Sequence, residues 1–600
     1  MCGFLGVISS SLVTPEVKEQ MKLAAERINH RGPDASSSFS TEHLYLAHKR
    51  LSIIDLSPAG NQPMLSDCGR YVIVFNGEIY NYRELKTQYL GNMADIASDT
   101  KVLLHLLIKY GVASVNWLNG MFSFCFIDIE SRSAIMARDR FGEKPLYYTT
   151  KSDSLYFTSE LKSFNSPFFK LSANVSALNN YLHTGFVAGP ETVFSGVYQL
   201  PAANIAEISF SGAIGIKIYP YWDLLGYQVT AGANDDQMTD VISLAISSRL
   251  VSDVDVGVFL SGGVDSSSIL AVIKHLGKQV HCFNCDFEMS KYSEKATASR
   301  IAEHYGYSFR SSVVTTSIMR QSHDSFIASM DQPTTDGFNT YLLSAEARKL
   351  GIKVWLSGTG GDEVFGGYPS FLNFLQRAKF AKDLRLFKKI QFPLVLNNLR
   401  LMRLMYLLNG EQNRYYRTYL TFRSSIPPNT PLFSKPFRRS IQDQPITEDS
   451  YNNYQLASYY ESKLYLGAML LRDIDNFSMA HSLEVRTPFL DHHLYESVLR
   501  KAAEQKTNLS KNYLTQNLPT PLPDFILNAP KKGFSLPFHE YLVENKDEVL
   551  TYVNDNRYKL WYQPALDKIY NRFQQNSINH DVIWNVYTLN KWLITHNVSI

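Results

Sequence analysis

The pattern of apolar and polar positions divides the chain into two parts of different character. In roughly the first 200 residues, apolar runs of strand length follow one another at hairpin spacing, at residues 71–75, 123–129, 134–138, 146–148 and 154–160. A helix is indicated at residues 102–107, directly after the capping string Ser98-Asp99-Thr100. Hairpin-spaced strands with few helices predict a sandwich of two antiparallel sheets that is covered by helices.

Beyond about residue 230, strands and helices alternate. Apolar, β-branched runs at residues 254–259, 280–287 and 352–356 are typical of buried strands. Helices are indicated at residues 269–273 and 294–305. Such alternation indicates a parallel sheet, because parallel strands must be joined by crossover connections. We therefore predict an α/β multidomain chain, with an α-β-β-α sandwich over residues 1–210 and a parallel-sheet domain with extra helices over residues 230–600.

A glycine-rich string lies between a predicted strand and a predicted helix. It reads Leu260-Ser261-Gly262-Gly263-Val264-Asp265-Ser266. This arrangement directs backbone N–H groups and the positive end of a helix at one point, which favours a phosphate. No lysine follows the glycines, so the string is not a Walker loop. Asp265 would repel a bound phosphate unless Mg²⁺ lay between them, so we predict a site for pyrophosphate and Mg²⁺ that suits ATP cleaved between its α and β phosphates.

The SGGxDS pattern in this string resembles the pyrophosphate loop of the ATP pyrophosphatase family, which includes asparagine, argininosuccinate and GMP synthetases and tRNA-thiolating enzymes. A second strand leads into Ser357-Gly358-Thr359-Gly360-Gly361-Asp362, and Asp362 opposite Asp265 would complete the Mg²⁺ coordination. The resemblance implies ATP contacts from Leu260, Ser261, Gly262, Gly263, Asp265, Ser266, Cys285, Ser357 and Gly358.

The chain opens with Met1-Cys2-Gly3, which places a cysteine where removal of Met1 would free its α-amine. An α-amine has a pKa of about 8, so thiol nucleophile and general base would lie in one residue. Taken alone, Cys2 is better explained as a small apolar residue entering a strand. Four further strings change that interpretation: Asn29-His30-Arg31-Gly32-Pro33-Asp34, residues 47–55 with Arg50, Asn76-Gly77-Glu78-Ile79-Tyr80-Asn81, and Ser98-Asp99-Thr100.

Together these strings resemble the glutaminase domain of N-terminal-nucleophile amidotransferases, most closely that of glutamine-dependent asparagine synthetase. The resemblance implies that Cys2 attacks glutamine and that Asn76 and Gly77 form the oxyanion hole. It also implies that Arg50 pairs with the glutamine α-carboxylate, that Glu78 and Asp99 hold its α-ammonium group, and that Ile53 lies in the same site. The alternatives are a surface ion pair for Arg50 and a helix cap for Asp99.

Several features of the C-terminal part bear on the activation and the identity of the carboxylate acceptor. The strings at residues 475–491 and 529–534 resemble the family's segment beside the ammonia-receiving site and its lysine loop. Lys531 is the predicted catalytic cation, because the pyrophosphate loop lacks one. Many members of the family have a glutamate, a candidate general base, where this chain has Thr359. Asn476 stands where an arginine is common. Both differences leave the acceptor open, and residues 331–340 either line its site or form a capped loop.

Composition limits the remaining choices. With 600 residues, 45% apolar and 19% charged, the chain is typical of soluble globular proteins with more than one domain. A net charge of +3 indicates no nucleic-acid partner, and no apolar run suits a membrane span. Five cysteines do not suggest a disulfide framework, and the chain begins without a secretion signal. We expect a cytoplasmic enzyme without a membrane partner, and a homodimer is left open.

The two parts together predict a ligase with ATP as a substrate and Mg²⁺ as cofactor. Ammonia released from glutamine would cross an internal channel and attack an acyl-adenylate, giving an amide, AMP and pyrophosphate. Aspartate is the favoured acceptor, and a sugar uronic acid, a peptide or a secondary-metabolite carboxylate is the alternative. More distant alternatives are β-lactam-type ring closure, tRNA thiolation through Cys282 or Cys285, and a non-catalytic binding protein.

Overall fold

The computed structural model describes residues 2–91, 97–225, 237–288, 293–368, 370–371, 419–420, 432–434, 452–505, 509–529, 536–575 and 580–600. Lys531 lies outside these residues, so its predicted role has no structural counterpart here. No helix in the described part of the chain is long and apolar enough to cross a bilayer.

The N-terminal part forms two six-stranded sheets. Its strands are β1 (Gly3–Ser9), β2 (Ala35–Ser40), β3 (Leu44–Arg50), β4 (Met64–Leu65), β5 (Tyr71–Ile79), β6 (Gly120–Asp128), β7 (Ser133–Arg138), β8 (Tyr147–Lys151), β9 (Ser154–Thr158), β10 (Val197–Gln199), β11 (Asn204–Ser209) and β12 (Gly215–Pro220). One sheet has the order β10-β8-β9-β1-β3-β2 and the other β12-β11-β7-β6-β5-β4, with neighbouring strands antiparallel. The second sheet therefore continues past residue 210, to Pro220.

The two antiparallel sheets pack face to face through apolar side chains. Phe4 and Phe157 of the first sheet share a buried cluster with Val72, Val74 and Cys125 of the second. Helices α1 (Pro15–Glu26), α2 (Tyr82–Leu85), α3 (Asp99–Tyr110) and α4 (Val175–Thr184) accompany the sheets, with short 3₁₀ or π segments at Asn29–Arg31, Pro58–Gly60, Lys86–Leu90, Gly111–Trp117 and Leu161–Ser163. The predicted helix-covered sandwich is confirmed.

The C-terminal part is built on a parallel sheet of β13 (Val256–Phe259), β14 (His281–Phe287), β15 (Phe309–Val314), β16 (Val354–Leu356) and β17 (Glu484–Arg486). The strand order is β15-β14-β13-β16-β17, and each neighbouring pair is parallel. The sheet confirms the predicted α/β class. The short strand β17 was not predicted, because its three residues include two charged ones and form no apolar run.

Helices cover this sheet and extend beyond it. They are α5 (Met238–Ser248), α6 (Val264–His275), α7 (Lys295–Tyr305), α8 (Thr316–Ser329), α9 (Phe338–Arg348), α10 (Gly361–Val364), α11 (Asn453–Tyr460), α12 (Leu471–Met479), α13 (His492–Gln505), α14 (Lys511–Gln516), α15 (Asp524–Leu527), α16 (Phe538–Glu544), α17 (Lys546–Val553), α18 (Gln563–Gln574) and α19 (His580–Thr595), with a π segment at Glu461–Leu470 and a 3₁₀ turn at Pro488–Leu490. The glycine-rich string connects β13 to the start of α6, as the sequence predicts. Residues 269–273 of α6 are fully buried, as expected of a helix packed on the sheet.

Candidate active site

A cavity in the N-terminal part gathers the side chains that were predicted to bind glutamine. Its lining includes Cys2, Arg50, Ile53, Gly77, Glu78 and Asp99. Strand β1 begins beside Cys2, β3 ends at Arg50, and Asp99 opens α3. Residues that are far apart in the sequence therefore meet where these elements start and end. Among the predicted glutamine-site residues, only Asn76 is outside this lining set, and it contacts Cys2 directly.

The Asn76 side chain is oriented by the nucleophile's own backbone. Its Oδ1 accepts a hydrogen bond from the Cys2 backbone N–H at 2.9 Å. With Oδ1 so engaged, Nδ2 is the remaining polar group; it is buried and has no hydrogen-bond partner among the described residues. A buried donor without an acceptor is costly and calls for a ligand or a transient charge. The geometry thus offers an amide N–H₂ group close to the Cys2 thiol.

Gly77 follows Asn76 on β5, and its position requires glycine. Its φ is +150°, and a Cβ would lie 2.0 Å from the Met121 carbonyl oxygen on β6. Any side chain here would push the two strands apart. The string Asn76-Gly77 is therefore constrained by close backbone packing as well as by the cavity that it borders.

Arg50 is buried and holds the loop that closes the cavity. Its guanidinium donates to the Ser57 carbonyl oxygen at 2.7 Å and to Asn61 Oδ1 at 2.9 Å. Further contacts reach the carbonyl oxygens of Ile54 and Asp55. All these acceptors are neutral, and within the described residues no carboxylate pairs with Arg50. The alternative of a surface ion pair does not fit this environment, and the cation remains available for an anionic ligand.

Two carboxylates lie on the other side of the cavity. Burial raises the pKa of Glu78 well above its usual range, with Glu484 and Asp99 adding repulsion. Burial also raises the pKa of Asp99 to about 6. Asp99 accepts hydrogen bonds from the Ile79 and Thr100 backbone N–H groups, at 3.0 and 2.7 Å. Two buried acids with raised pKa values form a pocket that a bound ammonium group would stabilise.

The helix cap that was considered for Asp99 belongs to its neighbour. Ser98 is the N-cap residue of α3, and its side chain accepts a hydrogen bond from the Lys101 N–H. Asp99 instead joins α3 to β5 through Ile79. The Cys2 thiol lies 4.0 Å from the Leu51 carbonyl oxygen, and burial raises its pKa. In the absence of a nearby base this thiol is neutral at physiological pH.

The glycine-rich loop between β13 and α6 is organised by its own serines. The Ser261 and Ser266 hydroxyls lie 3.0 Å apart, and Ser266 Oγ accepts from the Ser261 N–H at 3.2 Å. Gly262 has a φ of +75°, and a Cβ there would lie 2.9 Å from the Ala298 N atom of α7. Helix α6 begins after Gly263 without a side-chain cap, so its first N–H groups face the loop.

A pocket of about 270 Å³ lies above this loop, at the carboxyl ends of the parallel strands. Its lining includes most of the predicted nucleotide residues: Leu260, Ser261, Asp265, Ser266, Cys285, Ser357 and Gly358. Gly262 and Gly263 are absent from that lining, although they belong to the same loop. The loop after β16 approaches the loop after β13 closely, because a Cβ at Gly358 would lie 2.9 Å from Asp265 Cβ.

Asp265 and Asp362 share one cation, which the sequence did not reveal. The Lys511 ammonium group of α14 contacts the Asp265 carboxylate and lies 3.1 Å from Asp362 Oδ1. Two carboxylates on adjacent loops therefore converge on a single positive charge. Hard oxygen donors in this arrangement fit the requirements of Mg²⁺. Lys511 was missed because an ion pair between distant segments leaves no local pattern.

The lining of the same pocket includes acidic residues and, at Thr359, lacks the glutamate that is common in the family. Thr359 lines the pocket, and its hydroxyl lies 2.9 Å from the Ser357 hydroxyl. Asp336 and Asp473 also line it, and burial raises the pKa of Asp473 to about 7. Residues 331–340 thus contribute to the pocket through Asp336, Gly337, Asn339 and Thr340. Asp473 was not singled out from the sequence, since a lone acid in a predicted helix has no distinguishing signal.

Asn476 and Glu363 lie outside the lining of this pocket. Asn476 accepts from the Asp331 N–H at 3.1 Å and donates to the Ser329 carbonyl oxygen at 2.8 Å, which joins α12 to the end of α8. Glu363 is buried beside Tyr368 and does not belong to the described pocket lining. Neither residue replaces the missing base at Thr359.

The paired cysteines on β14 have the properties of core residues. Cys282 and Cys285 are buried and not disulfide-bonded, and burial raises the pKa of each thiol to about 12. Thiols with such pKa values are poor nucleophiles and poor metal ligands at neutral pH. This environment disfavours sulfur transfer through Cys282 or Cys285.

Comparison with known proteins covers nearly the whole chain. A family model described as a glutamine amidotransferase domain matches residues 1–222, and one described as asparagine synthase matches residues 237–594. The glutamine-hydrolyzing asparagine synthetase 1 of Bacillus subtilis is 32% identical over 563 residues, covering 91% of this chain and 89% of that protein. Asparagine synthetase 3 of the same organism is 28% identical, covering 93% of this chain and 90% of that protein.

A relative with a different name is also similar. Amidase chry2 of Gibberella zeae is 28% identical over 593 residues, covering 87% of this chain and 85% of that protein. The matches agree with the arrangement of the two cavities, one beside Cys2 and one above the glycine-rich loop. The chain belongs to the family of glutamine-hydrolysing asparagine synthetases, which are ligases.

Proposed function

We propose that this protein transfers ammonia from glutamine to a carboxylate that it activates with ATP, and that aspartate is the acceptor. The observation that carries the proposal is the cavity lined by Cys2, Arg50, Glu78 and Asp99, beside which Asn76 Nδ2 has no hydrogen-bond partner among the described residues. A cation, two anions and a neutral donor around one thiol match the charges of glutamine. The other half of the reaction is proposed for the pocket above the glycine-rich loop.

Glutamine hydrolysis follows from the chemistry of these residues. Arg50 binds the α-carboxylate, while Glu78 and Asp99 bind the α-ammonium group. Once Met1 is removed, the α-amine of Cys2 takes the thiol proton, and the sulfur attacks the glutamine side-chain carbonyl. Asn76 Nδ2 and the Gly77 N–H stabilise the oxyanion of the tetrahedral intermediate. The C–N bond breaks with proton transfer to nitrogen, ammonia leaves, and water then hydrolyses the thioester to glutamate.

Activation of the acceptor is assigned to the second pocket. An acceptor carboxylate oxygen attacks the α-phosphorus of ATP and pyrophosphate leaves, with N–H groups at the start of α6 directed at the phosphates. Asp265 and Asp362 would hold Mg²⁺, which would neutralise phosphate oxygens as charge builds on the leaving group. Lys531 is the proposed additional cation. Ammonia then attacks the acyl carbon, and AMP leaves with formation of the amide. We propose that the ammonia crosses between the pockets inside the protein.

Aspartate is supported by the names of the relatives and by the charge of the pocket wall. Asp336 and Asp473 on the acceptor side would attract the α-ammonium group of an amino-acid acceptor. The alternative is the same chemistry on another carboxylate, such as a uronic acid, a peptide or a secondary metabolite. Thr359, which supplies no carboxylate where a glutamate is common, and the relative named Amidase chry2 both favour that alternative.

An acceptor assay decides between the two. The enzyme is incubated with glutamine, ATP, Mg²⁺ and aspartate, and glutamate, asparagine, AMP and pyrophosphate are quantified. Equal formation of asparagine and AMP supports aspartate. Glutamine hydrolysis without asparagine contradicts aspartate and leads to the same assay with a panel of other carboxylates. A protein that neither hydrolyses glutamine nor exchanges pyrophosphate into ATP would contradict the whole proposal.

A further inference from the structure

One arginine of the parallel sheet contacts a lining residue of each cavity. Arg486, the last residue of β17, is fully buried, and its guanidinium lies between residues of the C-terminal part and Glu78 of the N-terminal part. Its Nη2 lies 3.8 Å from Glu78 Oε1, and Glu78 lines the proposed glutamine cavity. No other residue of the described parallel sheet pairs with a carboxylate of that cavity.

The ion pair between Arg486 and Glu78 is a long one. At 3.8 Å the two groups attract each other without a hydrogen bond. Arg486 Nη2 and Glu78 Oε2 are both buried, and neither has a hydrogen-bond partner among the described residues. One buried polar atom on each group without a hydrogen-bond partner indicates a contact that can rearrange when an ammonium group arrives at Glu78.

The rest of the Arg486 guanidinium is held firmly. Its Nε donates to Glu484 Oε1 at 2.6 Å, and its Nη1 donates to the carbonyl oxygens of Arg249 and Val251, at 2.8 and 2.6 Å. The Arg486 guanidinium is planar and is bonded at Nε and Nη1. A shift of Nη2 therefore moves the whole group and, through it, the Arg486 backbone. A flexible lysine at this position would absorb the same displacement.

The backbone of Arg486 is bonded to the start of the nucleotide loop. Its carbonyl oxygen accepts the Ser357 N–H at 2.9 Å, and Leu356 of β16 is its register partner in the sheet. Ser357 lines the nucleotide pocket. One residue therefore links a carboxylate of the proposed glutamine cavity, through its side chain, to a loop of the nucleotide pocket, through its main chain.

We propose that Arg486 is a positioning residue that couples the two pockets, so that glutamine bound at Glu78 favours nucleotide binding at the loop that begins with Ser357. The inference rests on the proposed glutamine site. Coupling between binding sites is reciprocal, so nucleotide should favour glutamine by the same factor. The consequence for the reaction is that ammonia is released preferentially when ATP is in place.

The electrostatic surroundings of Glu78 support this role. Among the described residues, the charged groups that face it are Asp99 from α3 and Glu484 and Arg486 from β17. Burial and the two neighbouring acids raise the pKa of Glu78, whereas Arg486 lowers it. Arg486 therefore helps to keep Glu78 ionised and able to hold an ammonium group.

Arg249 provides a matched control. It is also fully buried, and both arginines lie over the Tyr80 ring, with their guanidinium carbons 4.5 Å (Arg249) and 5.6 Å (Arg486) from the ring centroid. Its guanidinium pairs with Asp491 at 2.5 Å, and no contact joins it to Glu78 in the described structure. Arg249→Lys therefore perturbs the same cluster while the link from Glu78 to Ser357 is preserved.

The test measures coupling directly as binding. The full-length Cys2→Ala protein binds glutamine without turning it over, and α,β-methylene-ATP with Mg²⁺ serves as the nucleotide probe. Its Kd is measured by calorimetry with and without saturating glutamine. We expect glutamine to tighten nucleotide binding by about fivefold or more. In Cys2→Ala/Arg486→Lys the factor should fall to near one, with the Kd for nucleotide alone unchanged; in Cys2→Ala/Arg249→Lys it should persist.

Each other outcome is informative. A factor that survives Arg486→Lys, or a parent that binds both ligands without coupling, overturns the inference and leaves the proposed function intact. A parent that binds no glutamine contradicts the proposed glutamine site instead. If Arg486→Lys does not fold, hydrogen exchange on the Cys2→Ala protein gives the answer. Glutamine should slow exchange at the Ser357 amide, and an unchanged rate there refutes the coupling.

Discussion

At the scale of single residues, the proposed glutamine pocket combines unlike charges in a dry environment. Arg50 is neutralised only by carbonyl dipoles, while Glu78 and Asp99 are buried acids with raised pKa values. Each charge lacks its full counter-charge until a zwitterion binds. A ligand that carries both charges is favoured over one that carries either alone, because it compensates both sides of the pocket at once.

The raised pKa of Asp99 predicts a pH dependence of glutamine binding. Only the ionised carboxylate pairs with an ammonium group, and its pKa is about 6. As the pH falls through about 6, Asp99 takes up a proton, and the KM for glutamine should rise by about tenfold per pH unit below that value. Steady-state glutaminase assays between mildly acidic and neutral pH measure this effect. Asp99→Asn should raise the KM at neutral pH and remove the inflection; an inflection that remains would assign the titration to Glu78.

The predictability of the site differs from residue to residue. Cys2, Arg50, Asn76 and Asp99 were predicted because they stand in short strings whose letters are informative together. Lys511 and Asp473 were missed, since each acquires its role only from residues brought near by the fold. Long-range ion pairs of this kind have no period or spacing in the sequence.

At the scale of elements, the strands of both sheets followed the apolar pattern well. Strand β5 is longer than the predicted run, because its continuation Asn76-Gly77-Glu78-Ile79 pairs with β6 although it is largely polar. The short β17 escaped prediction for the same reason: charged residues in it are buried and paired with each other. The apolar pattern does not predict strand residues that are polar and nevertheless buried, as in these two strands.

The close approach of the two nucleotide loops leads to a prediction for Gly358. A Cβ there would lie 2.9 Å from Asp265 Cβ and 3.1 Å from the Ser266 N atom, so Gly358→Ala should push the loops apart. We expect the Kd for Mg-ATP to rise by about tenfold, since small displacements of positioning groups have large effects on bound ligands. Calorimetric titration measures the Kd.

The matched control is Gly212→Ala, where no atom lies within 4 Å of the added Cβ. Both variants should keep the thermal midpoint of the parent, because a few tenths of an ångström at a loop leaves the core unchanged. Unaltered nucleotide affinity in Gly358→Ala would show that the loops do not bind nucleotide in the spacing seen here.

At the scale of the whole molecule, two pockets with no described lining residue in common lie on opposite sides of a charged interface. Arg31 crosses that interface: its Nε donates to the Cys2 carbonyl oxygen at 2.9 Å, and its Nη1 lies 2.8 Å from Asp475 on α12. The sequence indicates both pockets separately. It could not indicate how they face each other, because each contact joins residues hundreds of positions apart.

Separate pockets predict that the two half-reactions can be uncoupled. Cys2→Ala removes the proposed nucleophile, which lines the glutamine cavity and is not among the lining residues of the nucleotide pocket. We expect amide formation from glutamine to fall below detection, while formation from added ammonium chloride stays within about twofold of the parent. Chromatography of the amide product measures both. Cys68→Ala, which changes an exposed cysteine, should leave both rates unaltered. Loss of both activities in Cys2→Ala would contradict separate pockets.

The lysine between the two nucleotide-site acids has a consequence for how a metal ion enters. Lys511 contacts both Asp265 and Asp362, so a divalent cation that binds these two acids, as proposed, must displace the ammonium group. On the proposed function, entry is an exchange of one cation for another, in which the two ion pairs of Lys511 are replaced by two metal–carboxylate contacts. Free Mg²⁺ is thereby a weak competitor, whereas Mg²⁺ that arrives with a polyphosphate offers the displaced ammonium group a new anion. Lys511 offsets one of the two carboxylate charges, and on the proposed function this favours the binding of nucleotide and metal together.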